Sequence, residues 1–256
     1  MKRLLILFLA LTLFISAASA EGLLTLADSL SGVICWPEGS DEATAAYVYR
    51  YSYPQVAGES DIAELINGTY AYEVSDAIGF RVPMNAEGLD PEAGVQFYTD
   101  ISYEITCLNE RFLSVKITSE SFLGQSATTT VAGHTFTLSE GAKSGEVTSL
   151  PFLLGLLDEE DLTDEWMKDR QTAKADECVQ RLVWEVIEEQ IMNGEVAYYD
   201  DLDFDETFCY SFYPEEAYYL DENGNPVFFI QEGFIAPVSE GVLLFPFTME
   251  ELLDEI

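Results

Sequence analysis

Tyrosines recur at every second position in the stretch AYVYRYSY. Tyr47, Tyr49, Tyr51 and Tyr53 alternate with Val48, Arg50 and Ser52, the period of a strand that shows an aromatic face. Pro54 ends it. From Ser60 the spacing changes: Ile62, Leu65, Ile66, Tyr70, Val74 and Ile78 fall at helical intervals, with Ser60 or Asp61 placed to cap the first turn and Gly68 weakening the middle. Two further strand-like runs, 95–108 and 111–122, flank Asn109-Glu110 and predict a hairpin. A third, 127–138, follows and completes an antiparallel meander. Residues 139–150 are then polar and glycine-containing, and the softest domain boundary lies there, between Gly141 and Leu150.

The second half opens on the acidic stretch 158–165 and continues into a helix expected over 173–192. Val179, Leu182, Val183, Val186 and Ile187 form its apolar stripe, Glu177, Arg181, Glu185 and Glu188 lie opposite, and Asn193-Gly194 stops it. Beyond it the chain reads as strands: 208–213, then two runs turning at Asn223-Gly224, then 241–247. A short final helix begins at Thr248, with Glu251 three residues on completing a capping box. Residues 21–44 hold few periodic apolar positions and read as a loosely held lead-in to a fold that starts at Ala45. Helices and antiparallel strands are segregated and do not alternate as βαβ units. The expectation is therefore an α+β fold, antiparallel sheets with packed helices, in two small subdomains over 45–145 and 146–256.

The first twenty residues stand apart. Lys2 and Arg3 precede the apolar run Leu4 to Ile15, and Ala18-Ser19-Ala20 supplies the small residues a signal peptidase requires before Glu21. This reads as a signal peptide over 1–20. An uncleaved anchor is the competing reading, because Leu4 to Ala20 is only just long enough to span a bilayer. Either way the rest of the chain is expected outside the cytoplasm, secreted or at the cell surface, and any membrane attachment would come through this segment alone.

Charge narrows the partners. The chain has 256 residues, with 47 acidic side chains against 11 Lys and Arg and one His, a formal net charge of −36. Removing Lys2 and Arg3 takes the 11 basic residues to 9 against an unchanged 47 acidic ones, near −38. Such a field excludes nucleic acid and anionic lipid as partners held by overall charge, and favours cationic ones. The bland alternative is that acidity serves only solubility. With 48% hydrophobic and 13% aromatic residues the chain has ample material for a core.

Candidate chemistry is sparse. Cys35, Cys107, Cys178 and Cys209 are too dispersed for a CxxC motif; in an exported chain they allow two disulfides, with Cys178 and Cys209 a candidate pair, or buried free thiols. His134, the only imidazole, lies in an expected strand with no GxSxG elsewhere, which favours a structural role and excludes most zinc hydrolase chemistry. Asp201, Asp203 and Asp205 match the first positions of a calcium loop, but Glu206 and Phe212 stand where glycine and glutamate are required. An irregular calcium site over 200–206 stays open, and no metal ligand, cofactor or catalytic residue is assigned. Asn67-Gly68-Thr69 matches a glycosylation sequon inside an expected helix. With so many acids a carboxylate pair suited to glycoside hydrolysis is unavoidable, so an extracellular hydrolase is the rival from another class.

Several segments, taken in order, resemble one family. Residues 49–70, 102–122, 132–156 and 234–252 are similar to the extracytoplasmic module shared by RsiV-type anti-sigma factors and PdaC-type peptidoglycan deacetylases. Departures are visible at Val131-Ala132-Gly133-His134, where the family has Gly-Gly-Ala-His, and at Val238, where it has Tyr after Ala-Pro. Only Met1 to Arg3 precede the apolar run, so no sigma-binding segment is expected, nor a deacetylase part. The resemblance implies a module of two parts, PdaC/RsiV-like over 45–145 and RsiV-like over 146–256. It further implies a non-catalytic binding role, toward a lysozyme-like cationic protein or cell-wall glycan. Within it the 236–241 loop is the expected contact surface, with Pro237, Val238 and Gly241 as candidate residues and a strand-to-strand corner as the alternative reading.

Overall fold

The structure is a computed structural model and describes residues 24–87, 89, 94–124, 126–141, 143–158 and 164–256. The expected signal peptide lies outside the described residues. In chain order the elements are β1 (Leu30–Trp36), β2 (Tyr47–Tyr53), α1 (Asp61–Asp76), a π-helical turn (Ala77–Arg81) and α2 (Val82–Ala86). There follow β3 (Phe97–Leu108), β4 (Phe112–Phe122), β5 (Ala127–Thr137), α3 (Leu150–Leu153) and α4 (Glu165–Asn193). A second π-helical turn (Phe204–Phe208) leads into α5 (Cys209–Ser211), and β6 (Tyr218–Leu220), β7 (Pro226–Ile230), β8 (Leu243–Pro246) and α6 (Met249–Glu255) complete the chain. Strands β1 to β5 form one sheet in that order and β6 to β8 a second, so the α+β reading holds.

Two expectations about the first sheet need correction. The lead-in is not loose: β1 pairs along its whole length with β2, from Leu30 opposite Tyr53 to Trp36 opposite Tyr47. Its alternation is hard to read because Gly32 interrupts it, the end of the Tyr51 side chain lying over that glycine across the ladder. In addition, β2 and β3 run parallel, because α1, the π turn and α2 form the crossover between them. The expected meander of β3, β4 and β5 is present with its turn at 109–111.

One face of this sheet and α1 enclose the first core. Tyr47, Tyr49, Tyr53, Leu113, Val115, Ile117 and Phe136 meet Ala63, Ile66 and Tyr70 of the helix. Ser60 caps α1 by accepting the Ala63 N–H. Leu65 and Ile78, placed on the apolar stripe by spacing, are instead exposed, and Ala63 and Ala77 take the buried positions. Asn67 is consumed by the fold: its side chain accepts the Val56 N–H at 2.8 Å and donates to the Val56 carbonyl at 2.9 Å, which leaves the sequon amide committed.

The opposite face receives the second sheet. Gly133 lets β6 approach so closely that a Cβ would lie 1.7 Å from the Tyr218 carbonyl oxygen. Beside it the buried Ser114 hydroxyl accepts the Leu220 N–H at 2.8 Å and bonds the Thr135 hydroxyl at 2.9 Å. Val131 packs with Tyr219, Val227 and Phe229, while the other face of the second sheet, with Phe228, Ile230 and Phe245, covers Val179, Val183 and Ile187 of α4. Helix α4 starts eight residues before the expected position, capped by Asp164, and ends as expected at Gly194 in the left-handed region. The capping box at Thr248 and Glu251 is formed.

The segment 208–213, read as a strand, is helical as far as Ser211 and extended only at Phe212 and Tyr213. Phe204, Phe208 and Phe212 recur every fourth residue and stack successively at 5.9 and 5.6 Å, with Trp184 against the first two, and Asp203 accepts the N–H groups of Asp205 and Glu206 to start the turn. The Cys178–Cys209 bridge rested on that strand. All four cysteines are free thiols, Cys178 buried on α4 and Cys209 half-buried, and burial pushes both thiols up in pKa and away from reactivity.

Candidate functional site

The outer edge of β5 decides where open surface remains. Glu232 accepts the Thr129 N–H at 2.7 Å, and Gln231 accepts the Val131 N–H at 2.9 Å while donating to the Val131 carbonyl at 2.6 Å, so its amide replaces one peptide of a neighbouring strand. Further along, 145–148 folds back onto Thr135 and Thr137 by main-chain bonds. The edge is closed to strand addition, and contacts must be made by side chains.

The 236–241 loop follows directly. Ile235 and Ala236 are buried anchors; Pro237 leads into a 3₁₀ turn over Val238–Glu240, closed by Gly241 at φ 71° with its N–H on the Val238 carbonyl. Pro237 and Gly241 thus shape the corner, and of the three expected contact residues only Val238 projects, 46% exposed. Sequence reading missed its neighbours. Phe234 is 56% exposed and Tyr213 53%, and together they border a shallow cavity of about 200 Å3 with Glu216, Gln231 and Ala132. The exposed Tyr199 joins them through its N–H on the Ile235 carbonyl and its hydroxyl on the Gly233 carbonyl.

Tyr213 and Phe234 share one opening with Glu216, Tyr199 bonds the backbone on either side of Phe234, and Val238 Cγ2 lies beside Gly233. The exposed aromatics come from a segment without positive charge: residues 182–256 hold 19 acidic side chains and no Lys, Arg or His. That run was the available signal. Elsewhere five cations are ion-paired, Arg50 with Glu42 and Asp100, Arg81 with Glu73 and Asp76, Lys116 with Glu104, Lys143 with Glu146 and Lys168 with Glu165.

Two other cavities are lined by groups whose protonation is displaced by burial. The first, about 310 Å3, is lined by Thr148, Ser149, Lys168, Asp169 and Glu215. Burial, with Asp176 and Glu216 adding to it, pushes Glu215 up to about 7, while the Leu150 N–H that it accepts at 2.8 Å opposes the rise. Asp176, which accepts the Glu215 N–H at 2.9 Å, is raised as well, again by burial. An acid–base pair for glycoside hydrolysis has its two carboxyl groups driven apart in pKa. Here both move the same way, and each holds a main-chain N–H at the start of a helical turn.

The second cavity, about 260 Å3, lies between α1, the first π turn and the β3–β5 face, lined by Tyr53, Glu73, Arg81, Ile101, Ile117, Ser119, Thr130, Val131, Ala132 and His134. The π turn aims Arg81 inward. Its Nη2 donates to the Glu73 carbonyl at 2.6 Å and to Glu73 Oε2 at 2.8 Å, and its Nε faces Asp76 at 2.9 Å. Burial holds His134 below the ordinary imidazole value, the Glu73 charge opposing, so the ring is neutral at pH 7. Its Nδ1 and the Tyr70 hydroxyl are buried without hydrogen-bond partners. Asp200 to Glu206 lie elsewhere, and among the described residues no three His, Cys, Asp or Glu are grouped to hold a metal ion.

No protein-family model and no curated protein matches the sequence. Among solved structures, the chain is similar to a DUF3298 family member from Bacteroides fragilis at a TM-score of 0.60 and 15% identity, covering 90% of this chain and 92% of that one. A DUF3298 family protein from Pseudomonas aeruginosa aligns over the same shares at a TM-score of 0.44 and 11% identity. At such identity the first likeness shows a shared fold. No helix among the described residues is long and apolar enough to cross a membrane.

Proposed function

We propose that the chain is a non-catalytic binding module that acts outside the cytoplasm and takes a cationic protein of lysozyme type on the patch of Tyr199, Tyr213, Phe234 and Val238. The observation that carries this reading is a group of exposed aromatic side chains drawn from 75 residues with no positive charge. Aromatic side chains supply anchoring energy in interfaces, and an opposite field accelerates encounter. The leader-like residues Lys2 to Ala20 support export, and the segments resembling the RsiV and PdaC module support the partner class. Nothing in the Glu215–Asp176 arrangement favours hydrolysis.

The test is capture of hen lysozyme by the purified mature chain at low and high salt, beside a Phe234→Ser, Tyr213→Ser variant. Binding should weaken with salt, because exposed charges are screened within ~10 Å at 0.1 M. The variant should lose about 30-fold in affinity, the equivalent of one ~2 kcal/mol hot spot. Absence of capture at low salt, or capture indifferent to both substitutions, would remove the reading.

A further inference from the structure

We infer that the cavity between α1 and the β3–β5 face is a binding site for a neutral, hydroxyl-rich small molecule such as a saccharide unit, with His134, the Arg81–Glu73 pair, Ser119 and Thr130 as its polar contacts. The inference is independent of the protein-partner reading and concerns different side chains, although both openings share Val131 and Ala132 on β5.

Unpaired polar atoms show that something is missing from the protein's own bonding. Buried polar groups are satisfied in the great majority of cases. Of the four buried unpaired atoms among the described residues, His134 Nδ1 and Arg81 Nε belong to residues that line the cavity, while Tyr49 Oη and Tyr70 Oη belong to rings outside the lining, Tyr70 lying 5.7 Å from the His134 ring between centroids. Arg81 Nε, although paired in charge with Asp76, makes no aligned hydrogen bond. The 260 Å3 volume is several times the ~30 Å3 share of one water. It lies just under the ~300 Å3 where pockets for drug-sized ligands begin. Access is through the exposed Thr130 and Ala132.

Charge and shape then select the ligand class. An anion finds no spare cation, because Arg81 is compensated by Glu73 and Asp76 and the whole chain is strongly negative. A cation would have to sit against Arg81. A flat aromatic ligand finds no free ring to stack on: Tyr53 is stacked on Tyr70 at 5.3 Å and flanked by Tyr51, while Tyr70 is also covered by His134 and Phe136. What remains is a neutral molecule recognised by its edges. A guanidinium N–H beside a carboxylate oxygen offers a donor and an acceptor side by side, as vicinal hydroxyls require. A neutral imidazole nitrogen donates or accepts according to tautomer, again matching a hydroxyl. Ile101, Ile117 and Val131 supply the apolar wall for ring C–H groups.

The experiment titrates the mature chain with cellobiose, maltose and di-N-acetylchitobiose by two-dimensional amide NMR, with acetate and sulfate as anion controls. At least one disaccharide should bind saturably and shift amides of 117–119 and 130–134. His134→Ala should weaken it about 3- to 10-fold, as for one lost neutral hydrogen bond. Thr130→Val, on the exposed rim and harmless to folding, should weaken it similarly, while Phe234→Ser should leave it unchanged. Lack of saturable binding by all three sugars in the folded protein overturns the inference. So does binding unaffected by His134→Ala and Thr130→Val, or tighter binding of the anions at the same amides.

Discussion

Replacing Glu215 by glutamine should stabilise the protein at alkaline pH and leave it unchanged in mild acid. The glutamine retains an oxygen for the Leu150 N–H and the same shape in the cavity, but discards a charge that burial and the neighbouring Asp176 and Glu216 disfavour. The folded-state value of about 7 lies above the ordinary glutamate value of about 4.3, so between these limits the native state holds a proton that the unfolded chain has released. Stability contributed by this residue is therefore full below about pH 4 and is lost as pH rises through 7. The gap alone corresponds to about 3.8 kcal/mol at ~1.4 kcal/mol per tenfold change. More than a third of the group meets solvent, and screening brings the expected effect to about 1–2 kcal/mol. For a domain of this size that is a rise in melting temperature of roughly 2–8 °C at pH 8.5. Calorimetric scans of Glu215→Gln and the parent from pH 4.5 to 8.5 should show the difference opening with pH, and Asp176→Asn should reproduce part of it. A variant less stable at pH 8.5, or a difference independent of pH, would show that the carboxylate is held as a favourable helix-start anion and that the desolvation argument is wrong.

Gly133→Ala should cost roughly 3 kcal/mol or more, because its Cβ meets the Tyr218 carbonyl at 1.7 Å and overpacked sites relax poorly; a melting temperature within a degree or two of the parent would refute this close approach. Gln231→Leu strips the Val131 N–H and carbonyl of their partners, costing about 1–3 kcal/mol, with hydrogen exchange at Val131 accelerated while that at the central β4 amides is unchanged. His134→Gln should gain on the parent as pH falls below about 6.5. The depressed imidazole, faced by Glu73, Arg81 and Tyr70, takes up fewer protons when folded than when unfolded, so the parent loses stability in that window; parallel curves down to pH 4.5 would contradict it. Asn67→Ala should destabilise by about 1–3 kcal/mol through the two orphaned Val56 groups, and an unchanged unfolding midpoint would dismiss that role.

Much of the local structure is legible along the chain. Alternating tyrosines, the turns at Asn109 and Asn223-Gly224, the stop at Gly194 and the Thr248–Glu251 box are each specified by neighbours within a few residues, and all are formed. Where period 2 and period 4 compete, as in 203–213, three phenylalanines four residues apart outweigh the aromatic-rich appearance of a strand, because the contacts of Phe204 and Phe208 with Trp184 and of Phe208 with Phe212 are gained only when the turn closes. The 236–241 segment was legible as a corner, its proline and glycine marking the turn. Phe234, Tyr199 and Tyr213 were not, since aromatic residues are buried or exposed according to what covers them.

The amino-acid order alone determined the α+β class, the meander and the acidic character, because propensities, turn chemistry and charge are properties of short segments or of simple sums. Tertiary structure decided the rest. Addition of β1, the parallel β2–β3 pair, the sealing of β5 by Gln231 and Glu232, and the meeting of Glu73, Arg81 and His134 all join residues far apart in the chain. Their burial, protonation and unpaired atoms follow from desolvation, which acts only once distant segments have closed over one another.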